Sequence, residues 1–140
     1  MNMFPHTITL YNHYRSSARV DAWQRTVLTG VQYIESATKT VMDGVMKVAD
    51  NTTVIIPYRS GYATPSAFAA ASSKTGLWTL NSKNNQDAIV YGTCTQEITS
   101  AYTLDDLVAG HNAKIVKGKE DFTGIDAPLS ELKHWEVVCV

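Results

Sequence analysis

Residues 38–58 read TKTVMDGVMKVADNTTVIIPY, and the fold class turns on how this stretch is paired. Asp43-Gly44 is a hairpin dipeptide, because aspartate tolerates and glycine prefers the positive φ of the tight turns that join antiparallel strands. Residues 36–42 and 45–49 are then its arms. Just beyond them, residues 52–58, TTVIIPY, form a β-branched run closed by Pro57, whose missing N–H ends a ladder. The middle of the chain therefore predicts antiparallel strands.

The same period extends upstream. In residues 6–14, HTITLYNHY, Thr7, Thr9, Tyr11 and His13 alternate with Ile8, Leu10 and Tyr14, as on a half-buried strand. RSSARVDA at 15–22 reads as a loop or long turn. In WQRTVLTGVQYIESAT, residues 23–38, the Thr and Val content and the central Gly30 favour a bent or bulged strand over a helix.

Downstream the character changes. Residues 59–76, RSGYATPSAFAAASSKTG, are small and polar with Tyr62 and Phe68 as the large anchors, which predicts a mobile excursion from the core. Thr64 before Pro65 caps a short helix within it, and Gly76 stops that helix or begins the next strand. LWTL at 77–80 and DAIVYGTCTQEI at 87–98, joined by the turn-rich NSKNNQ, predict a hairpin. TLDDLVAGH at 103–111 predicts a helix capped by Thr103 and ended by Gly110. AKIVKGKEDF and HWEVVCV are further strands, separated by the turn-rich residues 123–132. About seven or eight short strands with one or two short helices and a long loop predict a mainly β fold, a small antiparallel β-barrel or sandwich.

A chain of 140 residues is long enough for one core, so residues 1–140 are read as a single β-rich domain. Twelve Lys+Arg against thirteen Asp+Glu give a net charge of -1, which supplies no general attraction to nucleic acid or an anionic membrane. The start lacks the charged and apolar regions of a signal peptide, and no run of apolar residues is long enough to cross a bilayer, so a soluble protein is expected. Cys94 and Cys139 have no metal-ligand spacing and read as free, packed thiols.

Little in the pattern calls for catalysis. His6 and His13 fall on opposite faces of one strand, and His111 and His134 belong to other elements, so a metal site would need convergence from several directions. Neither cysteine sits where a thiolate is stabilised, and no nucleophile elbow or phosphate-binding glycine loop occurs. Asp105-Asp106 and Glu120-Asp121 are adjacent rather than facing. The densest charge, KIVKGKED at 114–121, is either a phosphate contact or the lysine-guarded edge of a strand turned at Gly118, and the edge is the simpler account. Trp23, Trp78 and Trp135 read as one common core with each indole N–H held by a backbone carbonyl. In the closing strand, alternation puts Trp135, Val137 and Cys139 inside and His134, Glu136 and Val138 outside. No catalytic residue, cofactor or metal is predicted, and the protein is not expected to be an enzyme.

Several strings carry a resemblance across nearly the whole chain: FPHTITLYNHY, WQRTVLTGVQY, NTTVIIPY, LWTLNSKNNQDAIVYG and HWEVVCV. Together they resemble the small proteins encoded in the structural gene clusters of tailed phages and prophages. The best signatures are Trp78-Thr79-Leu80 followed by Asp87, Ile89-Val90 and Gly92, and the closing His134-Trp135-Glu136-Val137. The sequence departs from the family at Gln86, where members often carry glycine before the aspartate. The resemblance implies a virion structural protein of the head-tail connector or head-completion type, a small β-barrel forming a homo-oligomeric ring in the neck. Portal, adaptor or tail proteins would be its partners, and contact with DNA in the ring lumen is left open. Tail-terminator or minor-capsid roles, and a small-ligand-binding or hydrolytic β-domain, are the alternatives. Tyr58, Arg59, Tyr62 and Phe68 are the expected interface residues.

Overall fold

The computed structural model describes residues 4–42, 44–121 and 133–140, with only backbone geometry and pairing over 36–42 and 45–50. Six strands close an antiparallel barrel: β1 (His6–Arg15), β2 (Asp21–Met42), β3 (Val45–Pro57), β4 (Ala88–Tyr91), β5 (Lys114–Asp121) and β6 (His134–Cys139). Their order around the wall is β1-β2-β3-β6-β5-β4. Two short helices, α1 (Pro65–Ala70) and α2 (Leu104–His111), lie in the connections. The expected barrel is therefore present. Asp43 of the hairpin and the connection expected over 123–132 lie outside the described residues.

One long strand serves two neighbours. β2 pairs with β1 from Asp21 to Val31 and with β3 from Gln32 to Met42. The change of partner falls at Gly30, which adopts φ +68° while the register jumps from Thr7↔Thr29 to His6↔Val31. This is the bulge the glycine suggested: the extra residue bends the strand, and a side chain would strain a left-handed backbone there. Beyond it, Met42↔Val45 closes the hairpin around Asp43-Gly44.

Period-two burial builds the interior. Thr52, Val54 and Ile56 of β3 are buried, as are Trp135, Val137 and Cys139 of β6, while Val138 is exposed. With Ile8, Leu10, Leu28, Val31, Trp78, Leu80, Ile89 and Val116 these side chains fill the barrel. Each fully buried aliphatic among them stabilises the fold by roughly 1.5–3 kcal/mol over an exposed one.

The first strand is covered on both sides. Thr9, Tyr11 and Asn12 are as inaccessible as Ile8 and Leu10, because Cys94, Ile98 and Leu107 cover the outer face of β1 and β4. The half-buried alternation expected for β1 is thus replaced by a strand with two apolar sides. The tryptophans divide in the same way: Trp78 and Trp135 belong to the interior, and Trp23 packs against the outer cluster.

The expected hairpin between LWTL and residues 87–98 does not form. Trp78 instead makes a parallel bridge to Tyr62, and β4 pairs with β1 and β5. The Asn12 side chain takes the place of a strand partner, donating to Thr79 O at 2.6 Å and accepting from Thr79 N at 3.1 Å. In α2, Thr103 and Asp106 form the reciprocal cap implied by the sequence. The helix runs past Gly110 and is stopped by Asn112, left-handed at φ 54°. Gly110 serves close approach instead, since a Cβ there would lie 2.8 Å from the Tyr102 hydroxyl.

Candidate interaction surface

The four residues expected at an interface leave β3 and enter the excursion, and the structure gives them different surroundings. Tyr58 is 60 % exposed. Its ring stacks on Trp135 at 5.8 Å and 19°, and Lys133 Nζ lies 5.8 Å from the ring centroid on a cation-π path. Tyr62 is half-buried between Trp78 and Trp135, with ring centroids 5.2 and 4.7 Å away. Phe68 is buried against the edge of Tyr14 at 6.2 Å. Of the three aromatic rings, Tyr58 presents its area to solvent, and the other two tie the excursion to the barrel.

Arg59 acts as a clamp. Its guanidinium donates to the carbonyls of Thr29, Gly30 and Pro57. It therefore holds the excursion on the β2 bulge, and burial pulls its pKa below the ordinary arginine value. Backbone bonds from Ala63 N to Trp78 O and from Trp78 N to Gly61 O, each 2.9 Å, tie the excursion near its two ends. Buried Phe68 and the Arg59 clamp attach to the barrel a segment whose own apolar area is small.

Beneath this end lies the polar centre of the molecule. Asp87 is fully inaccessible and accepts from Asn12 Nδ2 at 2.9 Å, His13 N at 2.9 Å, Asn81 N at 3.2 Å and Asn84 Nδ2 at 3.1 Å. Burial raises its pKa above the ordinary carboxylate range, against the opposing pull of those hydrogen bonds. Two indoles meet the backbone carbonyls expected of them: Trp23 donates to Gln86 O at 2.9 Å and Trp78 to Ser60 O at 3.2 Å. Trp135 Nε1 is buried with no hydrogen-bond partner among the described residues.

The histidines stay apart except at one place. His13 meets Asp21 at 2.9 Å, and this bond draws the Asp21 carboxyl below its ordinary pKa. His134 meets Glu136 at 3.2 Å. His6 accepts from Tyr33 N through Nδ1 at 3.0 Å, and it shares with Tyr33, Glu35, Tyr91, His111 and Asn112 an open cleft of about 410 Å³. Sequence reasoning missed this convergence, because the bulge at Gly30 brings β2 residues against the start of β1. Among the described residues, no group of three or more histidine, cysteine or acidic side chains is arranged to hold a metal. Cys94 and Cys139 are free and buried. Burial pushes the Cys139 thiol up to about 12, far from a reactive thiolate.

Fold and surface together define a small closed antiparallel β-barrel with an exposed aromatic, Tyr58, stacked beside a buried aromatic cluster. The chain belongs to the family described as a family of unknown function (DUF6751), whose model matches residues 3–140. No curated protein and no solved structure matches it. Among the described residues, no helix is long and apolar enough to cross a membrane.

Proposed function

We propose that the protein is a structural component of a phage virion, a head-tail connector or head-completion protein that assembles as a homo-oligomeric ring in the neck and contacts portal, adaptor or tail proteins. The observation that carries this reading is the reach of the β2–β3 hairpin. β1 pairing ends at Val31 and β6 pairing begins at Thr52, whereas β2 and β3 continue together from Ser36↔Asn51 to Met42↔Val45. These seven pairs extend about 24 Å at strand rise. Along them, the outer edges pair with no other described strand. A two-stranded ribbon is marginal in water, and the open edges of one subunit suit pairing with the next in a ring. The sequence resemblance to phage structural proteins supports the same reading. Tyr58 adds an exposed aromatic anchor of the kind that dominates interface energetics.

The test is antibody labelling of purified particles in electron micrographs. Label at the junction of head and tail is expected. Label on the shell or along the tail assigns the protein to another virion part, and its absence from particles overturns the proposal. The tyrosine-lined cleft at His6 favours a second reading, a small-ligand-binding or hydrolytic β-domain.

A further inference from the structure

The lysines of KIVKGKED do not simply guard a strand edge. β5 is paired with β6 from Val116 to Asp121 and with β4 at Lys114 and Ile115. A register shift between Val116 and Gly118 marks a bulge at Lys117. Lys117 Nζ then donates to Asn85 Oδ1 at 2.9 Å, while Lys119 is half-buried, donating to the Tyr62 hydroxyl at 3.2 Å with its Nζ 5.9 Å from that ring. Lys119 also lines a groove of about 550 Å³ between α1, the 80–83 loop and β5.

The lining is rich in donors. Lys83 and Lys119 are its two cationic residues, the Lys119 ammonium held by Tyr62, and Ser66, Ser82 and Asn81 are its hydroxyl and amide residues. Pro65 and Leu80 complete the wall, and among the described residues no carboxylate lines it. Among the described residues, the Lys83 ammonium meets no partner, although Asn81 Oδ1 holds the Lys83 backbone N–H at 2.9 Å. A carboxylate, Asp87, lies fully buried beneath the loop, where it holds Asn81 N and so fixes the loop's shape. A chain of net charge -1 thus gathers cationic and neutral donors, without an acid among the described lining residues, around one concavity.

We propose that this groove binds the phosphate oxygens of a nucleic-acid phosphodiester backbone. Such a backbone carries anionic oxygens at regular intervals and no donor at its phosphates, which matches a wall made of donors. Lysine contacts of this kind give affinity without base selectivity and make it depend on salt. The inference stands on the groove and does not need the neck assignment.

The isotope-labelled full-length chain is titrated, in NMR experiments, with a short DNA duplex, inorganic phosphate and an oligoglutamate peptide. The expected result is duplex-induced shifts centred on Ser66, Asn81, Ser82 and Lys83, weakened by salt and independent of base sequence. Lys83→Ala, at an exposed side chain outside the core, should leave the remaining spectrum in place and lower the slope of log affinity against log salt by about 0.9. Lys119→Arg should retain binding. Shifts with phosphate alone would assign the groove to the free ion and overturn the proposal. Shifts with the acidic peptide and none with the duplex would overturn it too, as would a Lys83→Ala slope equal to that of the parent chain.

Discussion

Replacing Asp87 by asparagine tests whether one buried carboxylate organises the loops at this end of the barrel. The substitution keeps the shape and exchanges one acceptor oxygen for a donor. Oδ1 now receives His13 N and Asn84 Nδ2, and Oδ2 receives Asn12 Nδ2 and Asn81 N. Whichever way the new amide turns, two of the four donors face an NH2 group, one of them a backbone N–H. A buried donor left without an acceptor costs about 1–3 kcal/mol, so the gross loss is about 2–6 kcal/mol. Removing a charge whose burial already raises its pKa returns part of that. We expect a net loss of about 2–3 kcal/mol, which for a chain of this size lowers Tm by about 6–12 °C. Urea and thermal denaturation followed by tryptophan fluorescence and far-ultraviolet circular dichroism measure it, since Trp23 hydrogen-bonds to Gln86 beside the substitution. A variant within about 0.5 kcal/mol of the parent at neutral pH, or more stable than it, would refute the reasoning.

The same carboxyl gives a pH dependence of defined sign. Because its native pKa is raised, its contribution is full below the unfolded value of about 3.9 and is lost as pH rises through the native value. The stability gap between parent and Asp87→Asn, read from urea midpoints at a series of pH values, should therefore narrow as pH rises across that window; a widening gap would contradict the assignment. Gly30→Ala should cost about 1–2 kcal/mol through its left-handed backbone alone. The nearest atom to the added methyl, Arg59 Nη2, lies 3.9 Å away, so a much larger loss in urea unfolding would point to a clash that the geometry lacks. A thiol-reactive dye should leave both buried cysteines unmodified in the native protein and titrate two thiols in denaturant, and rapid native labelling would contradict their burial.

The parts of the fold legible in the sequence share one property: their signals are local. Asp43-Gly44 between β-branched arms, Thr64-Pro65 at a helix start, the Thr103 cap and the alternation of His134–Cys139 each need only neighbouring residues to be read. The illegible parts depend on partners far along the chain. LWTL and residues 87–98 resemble two arms of a hairpin, but Asn12, 67 residues from Thr79, occupies that residue's backbone groups. An asparagine inside an otherwise alternating strand is the only local sign of such a role. Phe68 reads as an anchor for a partner in a small-residue segment, but in the structure it is buried with Tyr14 beside it. The cleft at His6 is less visible still, because it joins the first strand to the residue after α2 across a bulge.

The long-range parts converge on the place where the barrel closes. β4 has four residues and meets β5 through only two residue pairs, Ala88↔Ile115 and Ile89↔Lys114, against six between β3 and β6. So short a ladder would be the weak seam of the wall. Across the seam Val116 N also donates to Asp87 O at 2.9 Å; on the other side of β5 Val140 exchanges two 3.0 Å bonds with Ile115, and just past β4 Thr9 Oγ1 of β1 donates to Gly92 O and accepts from Cys94 N at 2.8 Å each. Asp87 is common to the two kinds of support, its carbonyl meeting β5 and its carboxylate meeting β1 and the 81–84 loop. That arrangement gives a physical reason for a charged residue at the start of β4. An apolar residue would bury comfortably there and keep the backbone bond to Val116 N, but it would leave the four donors now met by the carboxylate unanswered. The loop that lines the lysine groove is therefore fixed by the same residue that closes the barrel, and a perturbation of Asp87 should reach the groove as well as the fold.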